Sequence, residues 1–258
     1  PLLVKGDNNF INQTDSNEGT KAIFLEWKSG KIAWDLDLSG PFVALIINKR
    51  TNKINVITDI MSFIPVYIYQ DDCNTVVGTH VDALAKVSKV SSEIDKISCA
   101  DFVLHGTITF PYTLYKGIYQ IEPASIYSIS NNSKIDSMMY WKPYENYKYK
   151  SIKDAAKDIQ IELKNYLSKV TERTSNIAQF ISGGEDSRVL SALLYTHKRN
   201  AFVFLDQFSR EGKMAKRTAD IYNADFKLYT RDKEHYVNIL QNCSDLVGSG
   251  AQYHHAHT

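Results

Sequence analysis

A run of small and polar residues in the second half of the chain has the composition of a phosphate-binding turn. Residues 182–187 read Ser-Gly-Gly-Glu-Asp-Ser, and they lie between a short apolar run at 177–181 and apolar residues at helical spacing from 189 to 194. This pattern predicts a strand, a tight turn and a helix. The first amides of such a helix have no acceptor inside it and lie at the positive end of the helix dipole, so an anion is the expected ligand.

Each residue type in this turn suits a bound polyphosphate. Gly183 and Gly184 permit backbone angles that are closed to other residues and let amides approach a phosphate closely, while Ser182 and Ser187 add hydroxyl donors. Asp186 would repel phosphate unless a cation lay between them, and Mg²⁺ is the usual solution. The run lacks the Gly-Lys-Ser/Thr ending of a Walker A loop. A Gly-Gly turn can also be only a tight connection with hydroxyl caps.

The segments before residue 140 predict short strands separated by turns, as in a layered antiparallel domain. Predicted strands cover residues 22–27, 42–48, 54–59, 66–70, 75–78, 117–121, 125–130 and 134–139, with one helix near 99–104. Asn52-Lys53 and residues 131–133 predict hairpin turns. Residues 141–150 are rich in Tyr and Lys, and they are the predicted connection to a second domain.

After this connection the pattern changes to alternating helices and strands. Apolar residues from 152 to 170 recur on one helical face, and the strand, turn and helix around 182–187 follow. Further strands are predicted at 201–205 and 226–229, and further helices near 212–222 and 234–242. This alternation is typical of a doubly wound parallel sheet, which binds ligands at the carboxyl ends of its strands. Asp206 follows such a strand and either assists magnesium or substrate or only forms a turn.

Residues 182–187 resemble the SGGxDS pyrophosphate loop of the PP-loop ATP pyrophosphatases, most closely that of the glutamine-hydrolysing asparagine synthetase family. Four other segments resemble the same family in its order. Residues 40–69 are similar to a hairpin of its amino-terminal domain, 78–84 to the segment that follows, 113–124 to its TLFKGIxxLxPG segment and 141–143 to its YWxP. Such an ordered series is more specific than one short motif.

The resemblance implies two domains. Residues 1–143 would form a glutamine amidotransferase-like α+β domain, a layered antiparallel and partial Ntn-hydrolase-like fold without the nucleophilic cysteine, since residue 1 is Pro1. Residues 144–258 would form the first part of the asparagine synthase-like ATP-binding domain, an α/β doubly wound parallel sheet of the PP-loop, HUP-like type. The family's acidic loop and catalytic lysine come later than Thr258, and we expect the natural protein to extend beyond both ends.

The family's chemistry is ATP-dependent, AMP-forming amide synthesis, in which a carboxylate is adenylated and an amine then displaces AMP. The resemblance implies ATP and Mg²⁺ as cofactors, a small-molecule or peptide carboxylate as substrate, and ammonia or an amine as donor. Ser182, Gly183, Gly184, Asp186 and Ser187 would hold the pyrophosphate, with Asp186 on Mg²⁺, and the main chain at Phe180 and Phe204 would contact adenosine. No catalytic residue is assigned, and both phenylalanine rings could equally belong to a core.

Two other functions remain open at this point. One is a non-catalytic nucleotide-binding fragment or pseudoenzyme of the same family, and the other is a PP-loop enzyme acting on tRNA.

The roles of two further groups of residues are also open. Arg188 could reach a phosphate or form a surface pair. The cluster His254, His255 and His257 could bind zinc or nickel or contact substrate, but no acidic or cysteine partner lies at ligand spacing, so we do not expect a metal there.

Composition narrows the choice of partners. With 30 basic and 29 acidic residues among 258, the chain has no global positive field, and nucleic acid is not an expected partner.

The three cysteines, Cys73, Cys99 and Cys243, are too far apart for a disulfide framework or a Cys-x-x-Cys site, which favours a reducing cytoplasm. No apolar run reaches the roughly 18 residues of a membrane helix, so no membrane partner is expected. A homo-oligomer remains possible.

Overall fold

The computed structural model describes residues 3–6, 9–12, 16–130, 134–145, 148–172 and 174–250. These residues divide into two compact units, one drawn from 1–144 and 239–257 and the other from 145–238. The predicted turn at 131–133 and the three histidines at 254, 255 and 257 lie outside the described residues. None of the described helices is both long and apolar enough to cross a bilayer.

The first unit is a mixed α/β fold with three antiparallel sheets. Their strand orders are β2-β1-β3, β10-β9-β5-β4 and β7-β6-β8. The elements in chain order are β1 (Leu3–Gly6), β2 (Asn9–Asn12), α1 (Ser16–Ser29), β3 (Leu38–Ser39), β4 (Val43–Asn48), β5 (Lys53–Thr58), β6 (Tyr67–Gln70), β7 (Thr75–Gly78), α2 (Val81–Val87), α3 (Lys96–His105), β8 (Ile118–Gln120), β9 (Ser125–Ile129) and β10 (Ile135–Met139).

The core of the first unit lies on both sides of the four-stranded sheet. Val56 and Ile57 are neighbours on β5 and point to opposite faces, yet each is only 1% exposed. Ile57 packs with residues of α1 and β1, whereas Val56 packs with residues of β6 and β9. Burial of each such side chain contributes roughly 1.5–3 kcal/mol. The sheet is therefore the middle layer of this unit.

One strand prediction in the first unit is wrong. Residues 22–27 lie in the middle of helix α1. Ala22, Ile23 and Trp27 of this helix pack on the core, while Phe24 and Leu25 are 53% and 54% exposed, so the apolar run follows a helical face. A six-residue apolar run cannot be assigned by period alone. The other predicted strands are confirmed with small shifts of their ends, the helix near 99–104 is confirmed as α3, and α2 was not predicted.

The second unit has the predicted alternation of helices and strands. It contains α4 (Ile152–Thr171), β11 (Ile177–Phe180), α5 (Glu185–Leu193), β12 (Arg199–Leu205), α6 (Arg210–Ile221) and β13 (Asp225–Thr230), and α7 (His235–Val247) begins in it. The three strands form one parallel sheet in the order β11-β12-β13. The apolar face predicted for α4 is present, but no residue of that helix is buried.

Helices α5 and α6 lie on the same face of the parallel sheet. Ala201, Val203 and Leu205 of β12 pack against Ala215 and Ala219 of α6. The Gln179 side chain shares this face, because Gln179 pairs with Ala201, and it bonds to α5. The opposite face carries the rings of Phe180, Phe202, Phe204 and Tyr229, with neighbouring centroids 4.5–6.3 Å apart. In the described residues, one face of the parallel sheet is thus covered by α5 and α6, and the other carries aromatic rings.

Candidate functional site

The turn at residues 182–184 connects the carboxyl end of β11 to the start of α5. Ile181 precedes it, is 2% exposed and donates its amide to the carbonyl of Phe202 at 3.0 Å, which fixes the turn to the edge of the sheet. Gly184 is the N-cap of α5 and supplies no side-chain hydrogen bond to the helix. The N-terminal amides of α5 therefore lie at the carboxyl end of β11, and no N-cap side chain accepts a hydrogen bond from them.

The two serines of the turn bond to each other and to the turn backbone. The Ser182 amide donates to Ser187 Oγ at 3.2 Å, and the Gly184 amide donates to Ser182 Oγ at 3.1 Å. The two hydroxyl oxygens are 3.1 Å apart, and Ser187 Oγ also lies 3.2 Å from the Ser182 carbonyl oxygen. The hydroxyls thus hold the shape of the turn and satisfy two of its amides.

Other amides of the turn and of the first turn of α5 are open. Those of Gly183, Glu185 and Asp186 have no hydrogen-bond acceptor within the described part of the chain. Two of them belong to the first turn of α5, where amides have no partner in the helix and the dipole is positive. The arrangement can accept an anion with several oxygens, such as a phosphate.

Backbone angle explains neither glycine of the turn, and lack of space explains only Gly184. Neither Gly183 nor Gly184 has a positive φ, so the expectation that they adopt angles closed to other residues is wrong. A Cβ on Gly183 would lie 3.5 Å from Cγ of Glu211 and 3.6 Å from Cβ of Met214, both on α6. A Cβ on Gly184 would lie 3.2 Å from Ser182 Oγ and would push that hydroxyl out of place.

Asp186 is an exposed carboxylate beside the open amides of the turn. It lies in the first turn of α5 and is exposed, and it has no ion-pair partner in the described residues. Within the same residues, no group of three or more His, Cys, Asp or Glu side chains could hold a metal ion. A cation bound here together with a phosphate could take Asp186 as a ligand beside phosphate oxygens and water, as Mg²⁺ commonly does.

The neighbouring charged residues are paired with one another. Arg188 Nη2 lies 3.6 Å from Glu185 Oε1, an exposed pair within α5. Asp206 follows β12, and its Oδ1 lies 2.9 Å from Nε of Arg231, which follows β13. The Arg231 amide also donates to the carbonyl of Leu205 at 2.9 Å. Asp206 therefore helps to tie together the carboxyl ends of two strands.

Phe180 and Phe204 lie at the carboxyl ends of adjacent strands. Phe180 is the last residue of β11, and Phe204 is the residue before the end of β12. Their ring centroids are 6.2 Å apart, and Phe180 is 54% exposed. The rings belong to the aromatic face of the sheet rather than to the core formed with α6.

Residues that support the turn from behind were not predicted. Three of them are buried where α5 meets the sheet: Gln179, Ser191 and Arg199. The fourth, Gly212, lies where α6 crosses β12. The signal in the sequence was a polar residue within an otherwise apolar strand, which is uncommon unless the residue has a partner. The partner itself could not be identified without the register of the sheet.

Comparison with known proteins gives information about the first unit. The family model of the glutamine amidotransferase domain matches residues 3–141, which include all three antiparallel sheets. No curated protein matches the chain. Because the model covers more than half of the 258 residues, the chain belongs to the glutamine amidotransferase domain family.

Proposed function

We propose that this protein is an ATP-dependent, AMP-forming amide ligase of the asparagine synthetase type. The single observation that carries the proposal is the turn at 182–187, whose open amides lie between a parallel strand and a helix in a chain that also contains an amidotransferase domain. In this proposal residues 144–258 form a PP-loop, HUP-like, doubly wound domain, and residues 1–143 form an Ntn-hydrolase-like domain.

The proposed reaction transfers AMP from ATP to a carboxylate and releases pyrophosphate. Negative charge builds on the leaving pyrophosphate, and the amides of Gly183, Glu185 and Asp186 are fixed donors that would stabilise it. The dipole of α5 acts in the same direction. Mg²⁺ bound with the nucleotide, on Asp186, would neutralise part of the phosphate charge.

The second step would form the amide bond. Ammonia or an amine attacks the adenylated carbonyl, and AMP leaves with the electrons of the broken acyl–phosphate bond. The main chain at Phe180 and Phe204, at the same edge of the sheet as the turn, would hold the adenosine. Cys73 and Cys99 are free thiols, which supports a reducing compartment, and we include the cytoplasm in the proposal.

Pyrophosphate release tests this proposal. The full-length protein is incubated with ATP and Mg²⁺ and with mixtures of candidate carboxylates and ammonium, and pyrophosphate is measured. We expect release that falls at least tenfold in Asp186→Ala and is unchanged in Asp220→Ala, a control that removes an exposed pair with Lys216 on α6. Equal release by wild type and Asp186→Ala would reject the assignment.

Calorimetry with ATP and Mg²⁺ separates the proposal from its alternative. Binding without pyrophosphate formation, under all acceptor mixtures, would favour a non-catalytic nucleotide-binding protein of the same family. Absence of binding would reject both functions.

A further inference from the structure

Three buried polar side chains form a connected group behind the phosphate turn. Gln179 on β11, Ser191 on α5 and Arg199 on β12 are 3%, 0% and 2% exposed. Gln179 and Arg199 lie on the sheet face that otherwise carries Ala201, Val203 and Leu205. Apolar side chains would fill these positions at lower desolvation cost, because an uncompensated buried charge is expensive. Their polar groups therefore call for an explanation beyond packing.

Arg199 joins the carboxyl-terminal ends of the two helices. Its Nη1 donates to the carbonyl oxygens of Leu194 at 2.9 Å and Tyr222 at 3.1 Å, and its Nη2 donates to that of Ser191 at 3.3 Å. Leu194 is the C-cap of α5, and Tyr222 is the C-cap of α6. A cation at these ends interacts favourably with both helix dipoles, whose positive ends begin at Glu185 and Arg210.

Arg199 also fixes the orientation of the Gln179 amide. Nε of Arg199 donates to Oε1 of Gln179 at 2.8 Å, so the amide nitrogen must point the other way. Nε2 then donates to the carbonyl of Ser187 at 3.1 Å and to Ser191 Oγ at 2.8 Å. Ser191 Oγ in turn donates to the same Ser187 carbonyl at 2.8 Å. The Ser187 carbonyl thus connects the first turn of α5 to Gln179 on β11 and, through Gln179, to Arg199 on β12.

Ser187 connects this group to the phosphate turn. Its carbonyl accepts from Gln179 and Ser191, and its hydroxyl bonds to Ser182. A shift of Ser187 would move the hydroxyl that holds the Ser182 amide and would turn the adjacent amides of Glu185 and Asp186. Small displacements matter because several donors must converge on one anion.

We infer that Gln179 and Arg199 are positioning residues of the anion site, which act through Ser187 and Ser191 to hold the open amides of α5 towards a bound polyphosphate. This inference rests on the proposed function. It assigns a role in anion binding to two residues that do not contact the anion and that lie outside the motif at 182–187.

The variant Gln179→Glu tests the inference. Glutamate keeps the size of glutamine and an acceptor for Arg199 Nε, but it cannot donate to the Ser187 carbonyl. We expect the variant to fold with a melting temperature close to that of wild type, because the counter-ion gained by the buried cation offsets the hydrogen bonds that the Gln179 amide donated. We expect the affinity for ATP with Mg²⁺, measured by calorimetry on the full chain, to fall about tenfold.

Two further variants make the test decisive. Thr218→Val removes a buried hydroxyl on α6 whose hydrogen bond, among the described residues, is to the Met214 carbonyl, and it should bind ATP like wild type. Ser191→Ala removes the hydroxyl that supports Gln179, and it should weaken binding about threefold. If Gln179→Glu does not fold, Ser191→Ala decides the question.

The outcomes separate the two proposals. Wild-type affinity in both Gln179→Glu and Ser191→Ala would overturn the positioning role and leave the proposed function standing. If the wild-type chain binds neither ATP nor inorganic pyrophosphate in the presence of Mg²⁺, the proposed function is rejected, and the positioning role with it.

Discussion

Two turns that follow β5 and β11 differ in how their backbone amides are used. In the turn after β5, the Asp59 side chain is nearly inaccessible at 2% exposure. Its carboxylate accepts hydrogen bonds from the amides of Phe42, Met61, Phe63 and Ile64 at 3.3, 3.0, 3.1 and 3.5 Å. This turn of the amidotransferase domain contains its own anion, and these donors are not available to a ligand.

The turn after β11 has the same kind of donors without an internal anion. Glu185 and Asp186 lie in the first turn of α5, but neither carboxylate accepts an amide within the described residues. The amide of Gly183 is open as well. The two turns therefore differ in whether a carboxylate of the turn satisfies the backbone amides.

Removal of the internal anion should have the largest effect on stability. Asp59→Ala leaves buried amides without an acceptor, and we expect the free energy of unfolding to fall by about 3 kcal/mol. Denaturant unfolding measures this value. Asp220→Ala, at an exposed pair, should change it by less than about 0.5 kcal/mol. A loss of under about 1 kcal/mol for Asp59→Ala would show that the amides of this turn find water instead.

Substitution of Gly183, in the turn after β11, and of Gly212, on α6, should change stability by different amounts. A Cβ on Gly212 would lie 2.8 Å from Cδ2 of Phe208 and 2.9 Å from Cδ1 of Leu205, so Gly212→Ala should cost about 2 kcal/mol. Gly183→Ala meets ordinary contacts and should leave the melting temperature near that of wild type. Thermal unfolding checks both variants. An equal loss in the two would mean that the turn is as tightly packed as the helix crossing.

A tyrosine beside the Asp59 turn should make stability depend on alkaline pH. The Tyr140 hydroxyl donates to the Thr58 carbonyl at 2.6 Å, and burial, with added effects of Asp59 and Asp35, raises the pKa of Tyr140. Because the pKa is higher in the folded state, the stabilisation is complete below pH 10.0, the ordinary pKa of tyrosine, and is lost as pH rises above it.

Tyr140→Phe tests this dependence. It should cost about 1 kcal/mol at neutral pH through the lost hydrogen bond, and its stability should then decline less steeply above about pH 10. Unfolding curves measured across that range give both values. Parallel alkaline declines in wild type and variant would assign the effect to another group.

The sequence was sufficient for features that depend on neighbouring residues. The turn at 182–187 and the alternation in the second unit follow from small residues between an apolar strand and an amphipathic helix, and both are present. Helix α1 was predicted as a strand because its apolar run is short and one face of it is exposed. Helix α2 was missed because it has only seven residues and its N-cap is His80, an unusual cap.

Long-range features could not be predicted. Gln179 and Arg199 are 20 positions apart, and only the register of β11 and β12 places them together. Asp59 was predicted as the end of a strand, but nothing in the sequence indicates that four amides converge on it. Such groups depend on the fold as a whole.

The most direct test of the open turn is an amide NMR titration of the full chain, labelled with ¹⁵N, with inorganic pyrophosphate and Mg²⁺. We expect the amide signals of Gly183, Glu185 and Asp186 to shift most, while those of Met61 and Phe63, already bonded to Asp59, stay in place. Unchanged signals for Gly183, Glu185 and Asp186 at millimolar pyrophosphate would contradict the claim that this turn binds a polyphosphate.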